Sequence, residues 1–116
     1  MANFLERSTI GAAIAAVILM VFEPSFGALA GPDPQVAIGI DNFTFNAPTL
    51  TVKTGTTVTW TNNDDIPHTV VAKDRSFHSK ALDSGERYSF TFTKAGQYGY
   101  FCSIHPHMTG DIIVKA

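Results

Sequence analysis

From Val36 onward the chain alternates apolar and polar residues in short bursts separated by turn formers, the period-two pattern of half-buried strands. The runs are VAIGI from Val36, TLTVK from Thr49, TTVTWT from Thr56, HTVVA from His68, RYSFTF from Arg87, QYGYFC from Gln97 and DIIVK from Asp111. Between them stand Thr54-Gly55, the polar NNDD of Asn62 to Asp65, Ser84-Gly85 and Ala95-Gly96, all residues that tolerate tight turns. No stretch after Gly31 has the spacing of an amphipathic helix. The pattern predicts an all-β fold, a Greek-key β-sandwich of about seven to eight strands, without a second domain, an internal repeat or a low-complexity tract.

Successive strand residues face opposite sides of a sheet. Leu50 with Val52, Val58 with Trp60, and Tyr88 with Phe90 and Phe92 are therefore expected to face inward, and Tyr98, Tyr100 and Cys102 to share one face. Trp60, Phe90 and Phe92 read as core. The thiol of Cys102 closes its strand at the rim of the sandwich, flanked by aromatics.

The first thirty residues break this pattern. Ser8 to Phe22 carries no charge and leads through Glu23 and Pro24 to GALAG, with small residues at Ala28 and Ala30. That reads as a secretory signal peptide, residues 1–30, cleaved after Ala30 to leave a domain of residues 31–116 in the periplasm. An uncleaved membrane anchor is the alternative, but a spanning helix needs about 20 apolar residues and this run is shorter. No cysteine stands near the cleavage site to suggest a lipoprotein.

The exported chain carries seven Lys and Arg against eight Asp and Glu, too close to neutrality for a nucleic-acid partner. A domain of this size buries only about 60–65% of its unfolded surface, and small exported domains commonly add disulfides. Here Cys102 is the only cysteine, so no internal disulfide forms. A lone exported thiol calls for an intermolecular bridge, a reactive site or a metal.

Cys102 lies in YFCSIHPHMTG, residues 100–110, with His105, His107 and Met108. Donors spaced C-x2-H-x2-M converge on one ion only if the segment folds back as a tight loop, which Pro106 stiffens. Thiolate, imidazole and thioether are a copper set, and a trigonal His2Cys site with a weak axial Met is the blue-copper arrangement. The second histidine must come from elsewhere. His68 follows Pro67 at the mouth of HTVVA, on a loop–strand junction, whereas His78 in KDRSFHSK reads as a solvated surface residue. Were His107 the ligand, a methionine would be due about four residues later, where Asp111 and Ile112 stand, so His105 with Met108 is the coherent pair.

Taken singly, a cysteine among strands is more often a buried hydrophobe and a methionine core filler. All the donors standing in register, with proline and glycine flanks, outweigh those readings. Zinc suits the set less well, because a thioether is a poor zinc donor. A copper enzyme acting on oxygen or nitrite would need further histidines, and only His78 and His107 are left over.

DDIPHTV, followed about thirty residues later by Y-x-Y-x-C-x-x-H-P-x-M-x-G-x-I-x-V, resembles the cupredoxins. The short loop is similar to that of amicyanins rather than the longer loops of plastocyanins and azurins, and the resemblance spans residues 36–116. It implies that His68, Cys102, His105 and Met108 are ligands of one type 1 copper ion. It further implies a soluble periplasmic electron carrier cycling between Cu(II) and Cu(I), not an enzyme. The expected partners are transient redox proteins, such as a dehydrogenase or a c-type cytochrome, with the chain a monomer free of the membrane after signal cleavage. The imidazole edge of His105 would reach the surface within an apolar patch with Pro67 and Pro106.

Two positions depart from the family pattern. Thr69 stands where an Asn commonly pins the two ligand loops together, and Thr makes fewer such bonds. His107 stands where an aromatic such as Phe is usual. The alternative reading is a periplasmic copper-binding or delivery protein without a redox cycle, although the Met- and His-rich tracts common in such proteins are absent here. A third is a secreted adhesion-type sandwich, which would bind no copper.

Overall fold

The computed structural model describes residues 34–116. The expected signal peptide, residues 1–30, lies outside the described residues. Eight strands are present: β1 (Gln35–Asp41), β2 (Thr44–Phe45), β3 (Thr49–Lys53), β4 (Thr56–Asn62), β5 (Val71–Ala72), β6 (Arg87–Phe92), β7 (Gly96–Phe101) and β8 (Thr109–Lys115). They form two four-stranded sheets, ordered β2-β1-β4-β6 and β3-β8-β7-β5. β1 runs parallel to β4 and β3 parallel to β8, while the other pairs are antiparallel. Parallel neighbours cannot be joined by a tight hairpin. The chain therefore crosses to the second sheet between β2 and β3 and returns between β3 and β4, which lays one sheet on the other.

Strand alternation sets the core. In β4, Thr56, Val58, Trp60 and Asn62 are buried and the residues between them are not. Trp60 packs edge-on against Tyr100 at 5.4 Å between ring centroids, joining the two sheets. The inward sets hold, with a gradient. Val52, Val58, Trp60, Phe92, Tyr100 and Cys102 are buried, whereas Leu50, Tyr88, Phe90 and Tyr98 are half-buried and pack against that cluster. The half-buried residues lie on the outer strands β3 and β6, or on the part of β7 that the two-residue β5 does not reach.

The structure differs from the sequence pattern in three places. β2 was not expected, and its two residues bury Phe45. Phe77, inside a polar stretch, is also core at 3% exposure. The strand expected over HTVVA shrinks to Val71–Ala72, because the backbone before it bonds elsewhere. His68 exchanges hydrogen bonds with Leu82, Val70 N–H donates to the Ser79 hydroxyl, and Thr69 N–H points at the Cys102 sulfur. This diversion turns the chain into the site.

Candidate metal centre

The loop from Cys102 to Met108 is closed by its own backbone. One register step beyond the last β7–β8 pair, Phe101 with Thr109, Cys102 N–H donates to Met108 C=O at 3.1 Å. Met108 N–H then donates to His105 C=O at 2.9 Å, so residues 105–108 form a β-turn with Pro106 at its second position. Proline favours that position because its φ is already set. His107 falls at the tip of the turn and is exposed, while Met108 returns into the core at 5% exposure.

The opposite wall comes from the loop after β4. Asn62 is fully buried; its amide donates to Ile66 C=O at 2.9 Å and Leu82 C=O at 2.8 Å, and its oxygen accepts from Asp64 N–H at 2.9 Å. These bonds fold the NNDD segment into a fixed bend that delivers His68, itself fully buried. His68 Nε2 lies 2.8 Å from Asp64 Oδ2. A carboxylate there holds the proton on Nε2 and leaves the Nδ1 lone pair facing inward, the usual way a metal-binding imidazole is oriented. Burial works against ionisation of Asp64, but the N–H groups of Phe43 and Asn42, together with His68, hold its carboxyl below the ordinary 3.8.

Between these walls lies the sulfur. Cys102 Sγ is 3.3 Å from Thr69 N and 3.8 Å from the Thr69 hydroxyl. Burial alone would push the thiol up. The Thr69 N–H and the imidazoles of His68 and His105 overcome it and bring the thiol from 9.0 down to about 6. At neutral pH the thiolate, the metal-binding form, therefore predominates. Thr69 also joins the two loops. Its hydroxyl accepts from Ser103 N–H at 2.7 Å and lies 2.8 Å from the Ser103 hydroxyl, so the position expected to pin the loops weakly makes two bonds to a residue the sequence did not single out.

His68 Nδ1, His105 Nδ1 and Cys102 Sγ face one another, with the sulfur 3.7 Å from the first and 3.8 Å from the second. All three donors lie within 4.8 Å of one another. Bonds of about 2.0 Å to nitrogen and 2.3 Å to sulfur place those atoms about 3.7 Å apart at a trigonal angle and about 3.5 Å apart at a tetrahedral one. The sulfur-to-nitrogen spacing thus fits one ion held by the three donors. Met108, buried at the end of the same loop, carries a thioether; His107 and His78 are exposed and outside the cluster.

Asp64 and Phe43 were not singled out from the sequence. Asp64 had a signal, a carboxylate four residues before a candidate ligand, but it was hidden in a segment that reads as a turn. Phe43, 49% exposed, meets both histidine rings only because the β1–β2 turn folds over them.

A family model described as copper binding proteins, plastocyanin/azurin family, matches residues 33–115. An amicyanin from Paracoccus versutus is 34% identical over 103 residues, covering 84% of this chain and 78% of that protein. A chloroplastic plastocyanin from Tetradesmus obliquus is 37% identical over 103 residues, covering 76% of this chain and 71% of its own. Among solved structures, a purple cupredoxin from Nitrosopumilus maritimus superposes with a TM-score of 0.65 at 34% identity, covering 72% of this chain and all of that one.

Proposed function

Because this chain belongs to the plastocyanin/azurin family of copper-binding proteins, we propose that it is a one-electron carrier whose copper is held by His68, Cys102, His105 and Met108. The observation that carries this reading is the convergence of two Nδ1 lone pairs and a thiolate sulfur at trigonal spacing. Copper, when bound, supplies the redox step between Cu(II) and Cu(I). The chain's own residues do the rest. Cys102 would hold the ion through its thiolate, His68 and His105 through their imidazoles, and Met108 would offer a weaker thioether that helps tune the potential.

Preorganisation is what this donor set gains from the fold. Asn62 and Asp64 fix the His68 wall, the 105–108 turn fixes the other, and Thr69 with Ser103 ties the two together. Donors held this firmly keep their places in both oxidation states, so little rearrangement accompanies electron transfer. His105 is the only partly exposed member of the set, flanked in the chain by the exposed Ile104 and Pro106. Its ring edge is the route by which electrons enter and leave.

We place the protein in the periplasm after removal of residues 1–30. Its partners are redox proteins that dock transiently over a small interface, an amine dehydrogenase or a c-type cytochrome being the chemistry suggested by likeness to amicyanins. The test is addition of one equivalent of Cu(II) to the purified metal-free protein. An intense blue complex is expected. A pale complex would favour copper storage or delivery, and no complex would end the copper reading.

A further inference from the structure

β1 and β2 are joined by a two-residue hairpin in which Asp41 pairs with Thr44 and both central residues, Asn42 at φ 54° and Phe43 at φ 57°, are left-handed. Such a turn suits asparagine and glycine, whereas a bulky aromatic at positive φ is strained. The strain is held in place by Asp64, whose Oδ1 accepts from Asn42 N–H and whose Oδ2 accepts from Phe43 N–H. Glycine would make the turn without strain. Burial does not explain the aromatic, because Phe43 is 49% exposed.

What the ring touches does explain it. Phe43 lies edge-to-face on His68 at 5.5 Å and 85°, and on His105 at 5.1 Å and 86°. The two imidazoles lie 5.0 Å apart. His68 needs little help, being buried and bonded to Asp64. The 105–108 turn fixes the His105 backbone, but among the described residues its imidazole has no carboxylate partner: it is partly exposed and lies edge-to-face against the Phe43 ring. We propose that Phe43 is a positioning residue that holds the His105 imidazole toward Cys102 and resists its swing into solvent. Strained backbone at such a place fits this role, since strain persists where a site requires it.

The inference rests on His105 being a copper-holding residue, but its test does not depend on copper alone. Phe43→Ala and Phe43→Leu both keep the left-handed penalty of a side chain at that position, so the turn itself is unchanged; Leu restores apolar cover without the aromatic face. In the metal-free wild type, NMR should show one ordered His105 ring with close contacts to the Phe43 ring. In Phe43→Ala, His105 should average between rotamers, and Cu(I) should pass to bicinchoninate roughly 3- to 10-fold faster, the range an aromatic pair is worth. Phe43→Leu should fall nearer to Ala than to the wild type. A His105 ring as ordered in Phe43→Ala as in the wild type overturns the proposal, whatever the copper rate. A Leu variant indistinguishable from the wild type overturns the aromatic contact as the cause. Failure of the wild type to take copper would end the copper reading, while the metal-free NMR still decides the role of Phe43.

Discussion

A buried thiol would ordinarily stay protonated, yet Cys102 is held at about 6 by the N–H groups of Thr69 and Ile104 and by two imidazoles. The two imidazoles that help lower it, His68 and His105, are those that would share its metal. At this scale the C-x2-H-x2-M spacing and the proline before His68 were legible, because they are local in sequence. Asp64 and Phe43 were not, because their roles arise only when the β1–β2 turn and the loop after β4 close on the same histidines. The turn from His105 to Met108 sends His107 outward. His107→Phe should accordingly leave the visible spectrum of the copper form nearly unchanged, whereas His105→Ala should open a coordination position that added imidazole refills and restores. Spectral loss in the first variant would show that the loop has been read two residues out of place.

At the scale of elements, alternation was enough to find the long strands, since burying one face of a sheet imposes period two on whatever sequence forms it. It could not find β2, two residues long, or the burial of Phe77, which has no periodic neighbours. Nor could it show that the backbone of residues 68–70 abandons the ladder to serve Leu82, Ser79 and the Cys102 sulfur. One constraint within the β7–β8 pair is severe. Tyr100 faces Gly110 across the ladder, and a Cβ at Gly110 would come within 2.5 Å of the Tyr100 ring and hydroxyl. Tyr100 is fully buried against Phe45 and Trp60, so it has nowhere to move. Gly110→Ala should cost about 1–3 kcal/mol by overpacking, read as a loss of about 5–15 °C in the melting of the metal-free protein. A variant that melts with the wild type would contradict this packing.

At the scale of the whole molecule, a small sandwich without a disulfide leans on what it binds and on a few well-placed surface bonds. Glu86 accepts from Asp83 N–H at 2.9 Å and faces Lys80 at 3.3 Å, and Asp74 accepts from the Ser76 hydroxyl and N–H. Both carboxyls are held below their ordinary values, Glu86 first by the Asp83 N–H and Asp74 first by the Ser76 hydroxyl. A carboxyl lowered by folding contributes stability that is complete above its unfolded value, about 4, and fades as pH falls through the folded one. In the metal-free protein the lowered Cys102 thiol already makes the melting temperature fall as pH drops from neutrality through about 6, and below about pH 5 the carboxyls add a further decline that should be less steep in Glu86→Gln. An equal decline in that variant would remove Glu86 from the account.

X-ray absorption at the copper edge, on protein loaded with one equivalent, reads directly whether two imidazoles and the Cys102 thiolate hold the metal. One short sulfur and two imidazole nitrogens are expected around the metal, with the sulfur lost in Cys102→Ser. A copper surrounded only by nitrogen and oxygen in the wild type, or a short sulfur that survives Cys102→Ser, would contradict that assignment.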